Sequence, residues 1–297
     1  MVRSGITNLF RSLNANLLYR LPWPVEKTLK MVLFISEKFY RSWMKRSHPS
    51  EQIVITNIDK NIAMKVDPSK AMGAAFYWMG FHELNEWRFL NRYLKSDMTF
   101  VDIGANQGEF SLFAAKRLTK GRVLAFEPVD FFYDLLCENI ERNSYRNIET
   151  FHYGLSNESK QLPIYMGKTG AGEHEGLATI FQSDLRERFI QNIELRVLDD
   201  QLSQLNLNRI DFMKIDVEGA EMLVLKGAQK TIERFRPLIM IEINNATYQA
   251  AGYTVPDVIQ FFKQMRYTLN IMTKDGTLKA VTTTPAFCNA VFVPDPS

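Results

Sequence analysis

From Met98 onward the chain alternates short, almost wholly apolar runs with stretches of helical periodicity, and this limits the fold more than any other feature. "TFVDI", "RVLAFE", "NIETFHY", "IDFMKID" and "LIMIEI" read as strands. Between several of them "EFSLFAAKRL", "FFYDLLCENIERN" and "AEMLVLKGAQKTIERF" read as helices. Strands that are apolar along their whole length belong in a parallel sheet with helices on both faces, because neither face then meets water. "VPDVIQFFKQMR" adds a further helix, and "YTLNIM" and "NAVFVP" add two last strands. The pattern predicts an α/β domain over residues 97–297, built on a mostly parallel sheet of seven strands. The alternating "EQIVITNIDKNIAMKVDP" predicts a small hairpin, and "HELNEWRFLNRYL" a helix; together they form a lead-in over residues 51–96. The glycine-rich stretch at 166–187 reads as a loop.

The first 49 residues differ in charge. They carry nine Lys or Arg against Glu26 and Glu37, within a chain whose net charge is only +3. Val25, Leu29, Val32, Leu33, Phe39, Tyr40 and Trp43 recur at helical steps while the basic residues lie off that stripe. Residues 1–50 are therefore expected to form a basic amphipathic helical extension. Two uses stay open: a layer packed on the α/β domain, or peripheral contact of residues 1–49 with a membrane surface or a partner. No run approaches the ~20 apolar residues of a membrane span. Two cysteines, Cys137 and Cys288, leave no disulfide framework or zinc cluster and fit a cytoplasmic setting. The small net charge gives no reason to expect nucleic acid.

"VDIGANQGEF" raises the question of a ligand. In doubly wound sheets, ligands sit beyond the carboxyl ends of the strands. Gly104 permits a sharp turn, and Gly108 lets backbone approach a ligand. Asp102 discriminates: a carboxylate there repels a pyrophosphate but suits a ligand with a sulfonium and an ammonium, as S-adenosylmethionine has. The phosphate-loop pattern is absent, and Asn106 stands where a dinucleotide motif needs its second glycine. A nicotinamide dehydrogenase is thus disfavoured. Glu127 closes the next strand in "VLAFEP", where a ribose-reading acid falls in such folds.

"FVDIGANQGEFSLFAA", "VLAFEPVDFFYDLLCENIERN", "LDDQL" and "IDFMKIDVEGAEMLVLKGA" resemble, in order, the signatures of FkbM-type S-adenosylmethionine-dependent methyltransferases. The resemblance runs from about Tyr77 to Glu242. It implies the Rossmann-like class I methyltransferase fold, S-adenosylmethionine as cofactor, and O-methylation of a hydroxyl on a sugar, glycan or sugar-bearing product. It implies that Asp102, Gly104, Ala105, Asn106 and Gly108 hold the methionine part and that Glu127, followed by Pro128, holds the ribose. Leu155, Ser156 and Asn157 would border the adenine.

Methyl transfer to an alcohol needs in-line placement and usually a base. Asp216 ends the strand of "KIDVEGAE" and faces the same edge as the glycine turn, so it is expected to serve the cofactor, the acceptor or both. Glu218 and Glu242 are candidate bases, as is His174 in "GAGEHEGLAT". Glu221 reads equally well as a helix N-terminal charge, and His82 as a pocket-lining residue. Asp216, Glu218 and Glu242 have the donor chemistry for Mg²⁺, but nothing in their spacing demands a metal and none is expected. The competing reading is a membrane- or complex-associated protein of this fold whose catalysis is lost or secondary.

Overall fold

The computed structural model describes Arg11 and residues 52–166, 178–181, 188–202, 204, 205 and 207–296. Apart from Arg11, the predicted N-terminal extension lies outside the described residues. The described residues divide into two compact units, the first holding those up to Leu84 together with 141–144, the second holding the others.

In the first unit, β1 (Ile53–Ile58) and β2 (Ile62–Val66) form the expected antiparallel hairpin. Asp59 and Lys60 turn it with φ of 40° and 79°. Ile55, Ile58, Ile62, Met64 and Val66 are buried. Helix α1 (Ala71–Met79), which the sequence pattern did not suggest, ends at Gly80 in the left-handed region. The Arg11 guanidinium reaches Asn57 Oδ1 at 2.7 Å and the Tyr77 carbonyl.

Helix α2 (Leu84–Tyr93) lies in the second unit from Asn85 onward, and its Trp87 ring packs with its centroid 4.5 Å from that of Phe113. Its main sheet contains β3 (Thr99–Ile103), β4 (Arg122–Phe126), β5 (Ile148–Phe151), β9 (Phe212–Ile215), β10 (Leu238–Asn244), β11 (Tyr267–Met272), β12 (Leu278–Ala280) and β13 (Phe287–Pro294). The order across it is β12-β11-β13-β10-β9-β3-β4-β5. Strands β5, β4, β3, β9 and β10 are mutually parallel. β13 runs antiparallel to β10, and β11 antiparallel to β13. This is the class I methyltransferase arrangement, with one strand more than the seven expected. The extra strand, β12, is a three-residue edge piece of sequence "LKA", too short and polar to register as a strand pattern.

Helices α3 (Glu109–Arg117), α4 (Asp130–Glu141), α6 (Glu221–Gly227) and α7 (Gln229–Phe235) follow parallel strands, so the long pattern "AEMLVLKGAQKTIERF" is two helices joined at Ala228. A short α5 (Leu198–Gln201) precedes β9. Beyond β10 lie α8 (Asn245–Ala250) and α9 (Val255–Gln264), the latter started by a Thr254–Asp257 capping box with Pro256 in its first turn. A separate sheet of order β6-β8-β7 joins β6 (Gly154–Leu155), β7 (Lys160–Met166) and β8 (Arg188–Arg196). Of the stretch 166–187 expected to be loop, only Met166 lies in a strand, and Thr179 makes an isolated bridge to Tyr165; 167–177 and 182–187 lie outside the described residues. All of β3, and β4 beyond Arg122, is buried. The strand order reverses between β3 and β9, which opens a crevice at their carboxyl tips.

Candidate active site

The crevice is built on a close approach between the tips of β3 and β9. Gly104 has φ +79°, and a Cβ there would lie 1.9 Å from the Asp216 carbonyl oxygen. Only glycine fits. The Gly104 and Ala105 N–H groups both donate to Phe126 O at 3.0 Å, which ties the turn to the end of β4. Asn106 adopts φ +50°, a left-handed conformation that asparagine tolerates better than most residues. Gly108, at φ +96°, starts α3, and a Cβ on it would press on Leu136 Cδ1 at 2.8 Å.

Asp102 is fully buried. Its Oδ2 accepts from Ser111 Oγ at 2.6 Å, whereas Oδ1 accepts no hydrogen bond among the described residues. Burial pushes its pKa up, opposed chiefly by Lys214, whose ammonium lies 3.8 Å from Oδ1. Glu127 is buried just beyond β4. Its Oε2 accepts from the Asn106 N–H at 2.8 Å and its Oε1 from the Val129 N–H at 2.9 Å. Desolvation nonetheless raises its pKa to about 7. Both oxygens keep a lone pair for a further donor. Pro128, next to it, is half-buried and lies near Gly154, where a Cβ would be 3.4 Å from Pro128 Cγ. Ser156 is only 1% exposed; its N–H donates to Arg196 O at 2.8 Å, and its carbonyl lies where a Cβ on Gly227 would fall. Ser156 is therefore engaged in packing against α6.

Asp216 extends the β3–β9 pairing through its N–H to Ile103 O at 3.1 Å, and its Oδ2 accepts from Lys214 Nζ at 3.1 Å. Asp216, Glu218 and Glu242 each bring one carboxylate oxygen within 4.8 Å of the others, and all three are half-buried. The three candidate acids thus converge, with oxygen donors of the kind a divalent cation accepts. Glu218 stands at φ +54°, and its carbonyl accepts from Thr179 Oγ1 at 2.7 Å. Glu221 differs from them. It is fully buried, and it accepts from the Val217 and Gly219 N–H groups, both at 3.0 Å. Its pKa is raised to about 7 by burial. The Tyr253 hydroxyl lies 2.9 Å from Gly219 O and 3.1 Å from Glu221 Oε2. Glu221 therefore holds the turn together.

The family profile described as "Methyltransferase FkbM domain" matches residues 102–269, more than half of the chain. The chain belongs to the FkbM methyltransferase family. It is 31% identical to the methyltransferase sdnD of Sordaria araneosa over 162 residues, which are 46% of this chain and 62% of sdnD. It is 28% identical to the hexuronic acid methyltransferase AglP of Haloferax volcanii over 189 residues, 62% of this chain and 69% of AglP. The chain thus spans less than two thirds of sdnD, and only 8% of AmbE of Pseudomonas aeruginosa, to which it is 32% identical over 165 residues. A methyltransferase FkbM structure from Methylobacillus flagellatus superposes with TM-score 0.48 at 17% identity, over 71% of this chain and 48% of that one.

S-adenosylmethionine is the methyl donor of FkbM domains, and this crevice has features that fit it. A buried carboxylate oxygen lacks a hydrogen-bond donor, a glycine turn keeps backbone free of Cβ atoms, and a second buried carboxylate stands at the neighbouring strand tip. Of the other expected residues in this FkbM chain, His174 lies outside the described residues and His82 is exposed in the first unit. Sequence reasoning missed Lys214, Ser111 and Thr179. A signal for Lys214 was available, since a lysine inside the apolar run "FMKI" needs a buried partner.

Proposed function

We propose that this chain transfers a methyl group from S-adenosylmethionine to a hydroxyl on a sugar or a sugar-bearing molecule. The observation that supports it most is the pair of buried carboxylates, Asp102 and Glu127, at the tips of adjacent strands across a glycine turn. S-adenosylmethionine, when bound, supplies a methyl carbon on a cationic sulfur. Asp102 offers negative charge to the cationic end and Glu127 accepts hydrogen bonds from the ribose hydroxyls. Asp216, Glu218 and Glu242 line the adjoining edge, where they orient the acceptor hydroxyl. One of the three would take the acceptor's proton as the oxygen receives the methyl group that the bound cofactor would supply. A carbohydrate acceptor is supported by the likeness to AglP and by carboxylates suited to gripping vicinal hydroxyls.

Two measurements test the reading. Calorimetric titration with S-adenosylmethionine should show binding that Glu127→Ala weakens severely, and equal affinity in the variant would count against the ribose assignment. Mass spectrometry of hexuronic acids and neutral sugars incubated with the chain and labelled cofactor should show a gain of one methyl group on oxygen. Label appearing only on nitrogen or carbon would remove the hydroxyl acceptor.

A further inference from the structure

Lys214 sits in β9 between Met213 and Ile215 and is only 3% exposed. An ammonium out of water must be compensated by nearby acceptors. Asp216 Oδ2 lies 3.1 Å from Nζ, Gly104 O 3.5 Å, and Asp102 Oδ1 3.8 Å. The Phe110 ring centroid lies 5.0 Å away. Lys214 and Asp102 are register partners across β9 and β3, so the main sheet itself sets their approach. The ammonium donates to two of these oxygens, Asp216 Oδ2 and Gly104 O, and faces the third, Asp102 Oδ1, as an ion pair; each belongs to a different part of the crevice: the β9 tip, the glycine turn and the β3 carboxylate.

The geometry points to Lys214 as a positioning residue for the cofactor crevice: one buried ammonium fixes the tips of β3 and β9 to each other and holds the Asp102 and Asp216 carboxylates in place for a cationic ligand. This rests on the reading of the crevice as the S-adenosylmethionine site. The sheet alone brings the strands together but does not orient the carboxylates they carry. Without Lys214, Asp102 would have Asp216, Glu109 and Glu127 near it with no cation among them. Its carboxyl, already pushed up by burial, would lose the charge that most opposes that shift. An Asp102 pushed further toward its neutral form attracts a sulfonium or an ammonium less. A purely space-filling role would need only the methylene stem, which methionine provides.

The test is calorimetric titration of the full chain with S-adenosylmethionine, with far-ultraviolet circular dichroism as the check on folding. Lys214→Met should bind roughly tenfold or more weakly while its spectrum matches the wild type. In Lys214→Ala, n-propylammonium chloride should restore affinity and n-propanol should not, because the missing element is charge. Unchanged affinity in Lys214→Met overturns the inference, as does equal restoration by the alcohol. If these variants fail to fold, Asp102→Asn/Lys214→Met removes the buried charge together with its partner, and it is compared with Asp102→Asn. Weaker binding in the double variant supports the role, and equal binding overturns it. A wild-type chain that binds no S-adenosylmethionine sinks the cofactor reading itself, whereas wild-type binding that Lys214→Met leaves untouched sinks only the role of Lys214.

Discussion

Glu127 accepts two backbone N–H groups, yet burial still lifts its pKa to about 7. Under the proposed reading, ribose hydroxyls donating to it would favour its charged form, so below about pH 7 binding would first have to expel a proton. Affinity for S-adenosylmethionine should therefore fall as pH drops from about 8 to about 6, approaching a factor of about ten per unit once the carboxyl is mostly protonated. Glu127→Gln should bind more weakly at pH 8 and show a flatter profile in calorimetry. A slope that survives the substitution would place the titrating group elsewhere. Gly104 makes a second prediction. Ala at that position sets a Cβ 1.9 Å from a backbone oxygen, whereas Gly252, at φ +81°, has nothing within 4 Å of its Cβ position. Gly252→Ala should cost only the left-handed backbone, about 1 kcal/mol. Gly104→Ala should cost on the order of 3 kcal/mol or more in urea denaturation and should abolish binding. Gly104, Asp102 and Glu127 were legible because strand-end motifs fix their neighbours in sequence. The Lys214 contacts were not, because the β3–β9 pairing joins residues 112 positions apart.

At the level of elements, the parallel core was readable because burial on both faces leaves strands apolar throughout. The small sheet escaped notice for the opposite reason: β8 keeps Arg188 and Phe189 exposed, and β7 carries Pro163 in its middle. One helix start depends on a residue from another element. Asp199, in α5, accepts from the Lys230 N–H at 2.9 Å, the Thr231 N–H at 2.8 Å and Thr231 Oγ1 at 2.6 Å, which caps α7. Its neighbour Asp200 is exposed. Asp199→Ala should therefore destabilise the fold by about 1–2 kcal/mol. Asp200→Ala should stay within about 0.5 kcal/mol. Similar denaturation midpoints for the two variants would show that the cap is dispensable. The pattern "LDDQL" presents both acids alike, and only the packing of α5 on α7 separates them.

For the molecule as a whole, Glu127 and Glu221 impose a direction on stability versus pH. Both lie in the second unit, both are buried, and both have a pKa of about 7 against an ordinary 4.5. Between those values the folded chain holds protons that the unfolded chain releases, so the contribution of these groups is complete below about 4.5 and is lost as pH rises through about 7. A shift of that size corresponds to about 3 kcal/mol for each group. Asp275, held at about 2 by the Thr273 and Thr277 hydroxyls, acts in the other direction, but it is fully exposed and its effect falls at strongly acid pH. The ligand-free chain should accordingly resist urea better near pH 6 than near pH 8. Glu221→Gln should remove part of that slope even as it lowers stability overall, because an amide cannot replace both acceptor oxygens that face Val217 and Gly219. If Glu127 holds the ribose as proposed, saturating S-adenosylmethionine should move the stability maximum upward in pH, since the ligand would then favour the charged form of Glu127. Glu221, engaged only with the protein, should keep its share of the slope with or without ligand. Ligand-free stability that is flat from about pH 6 to about pH 8 would mean that water or backbone donors already keep these two carboxylates ionised in the fold.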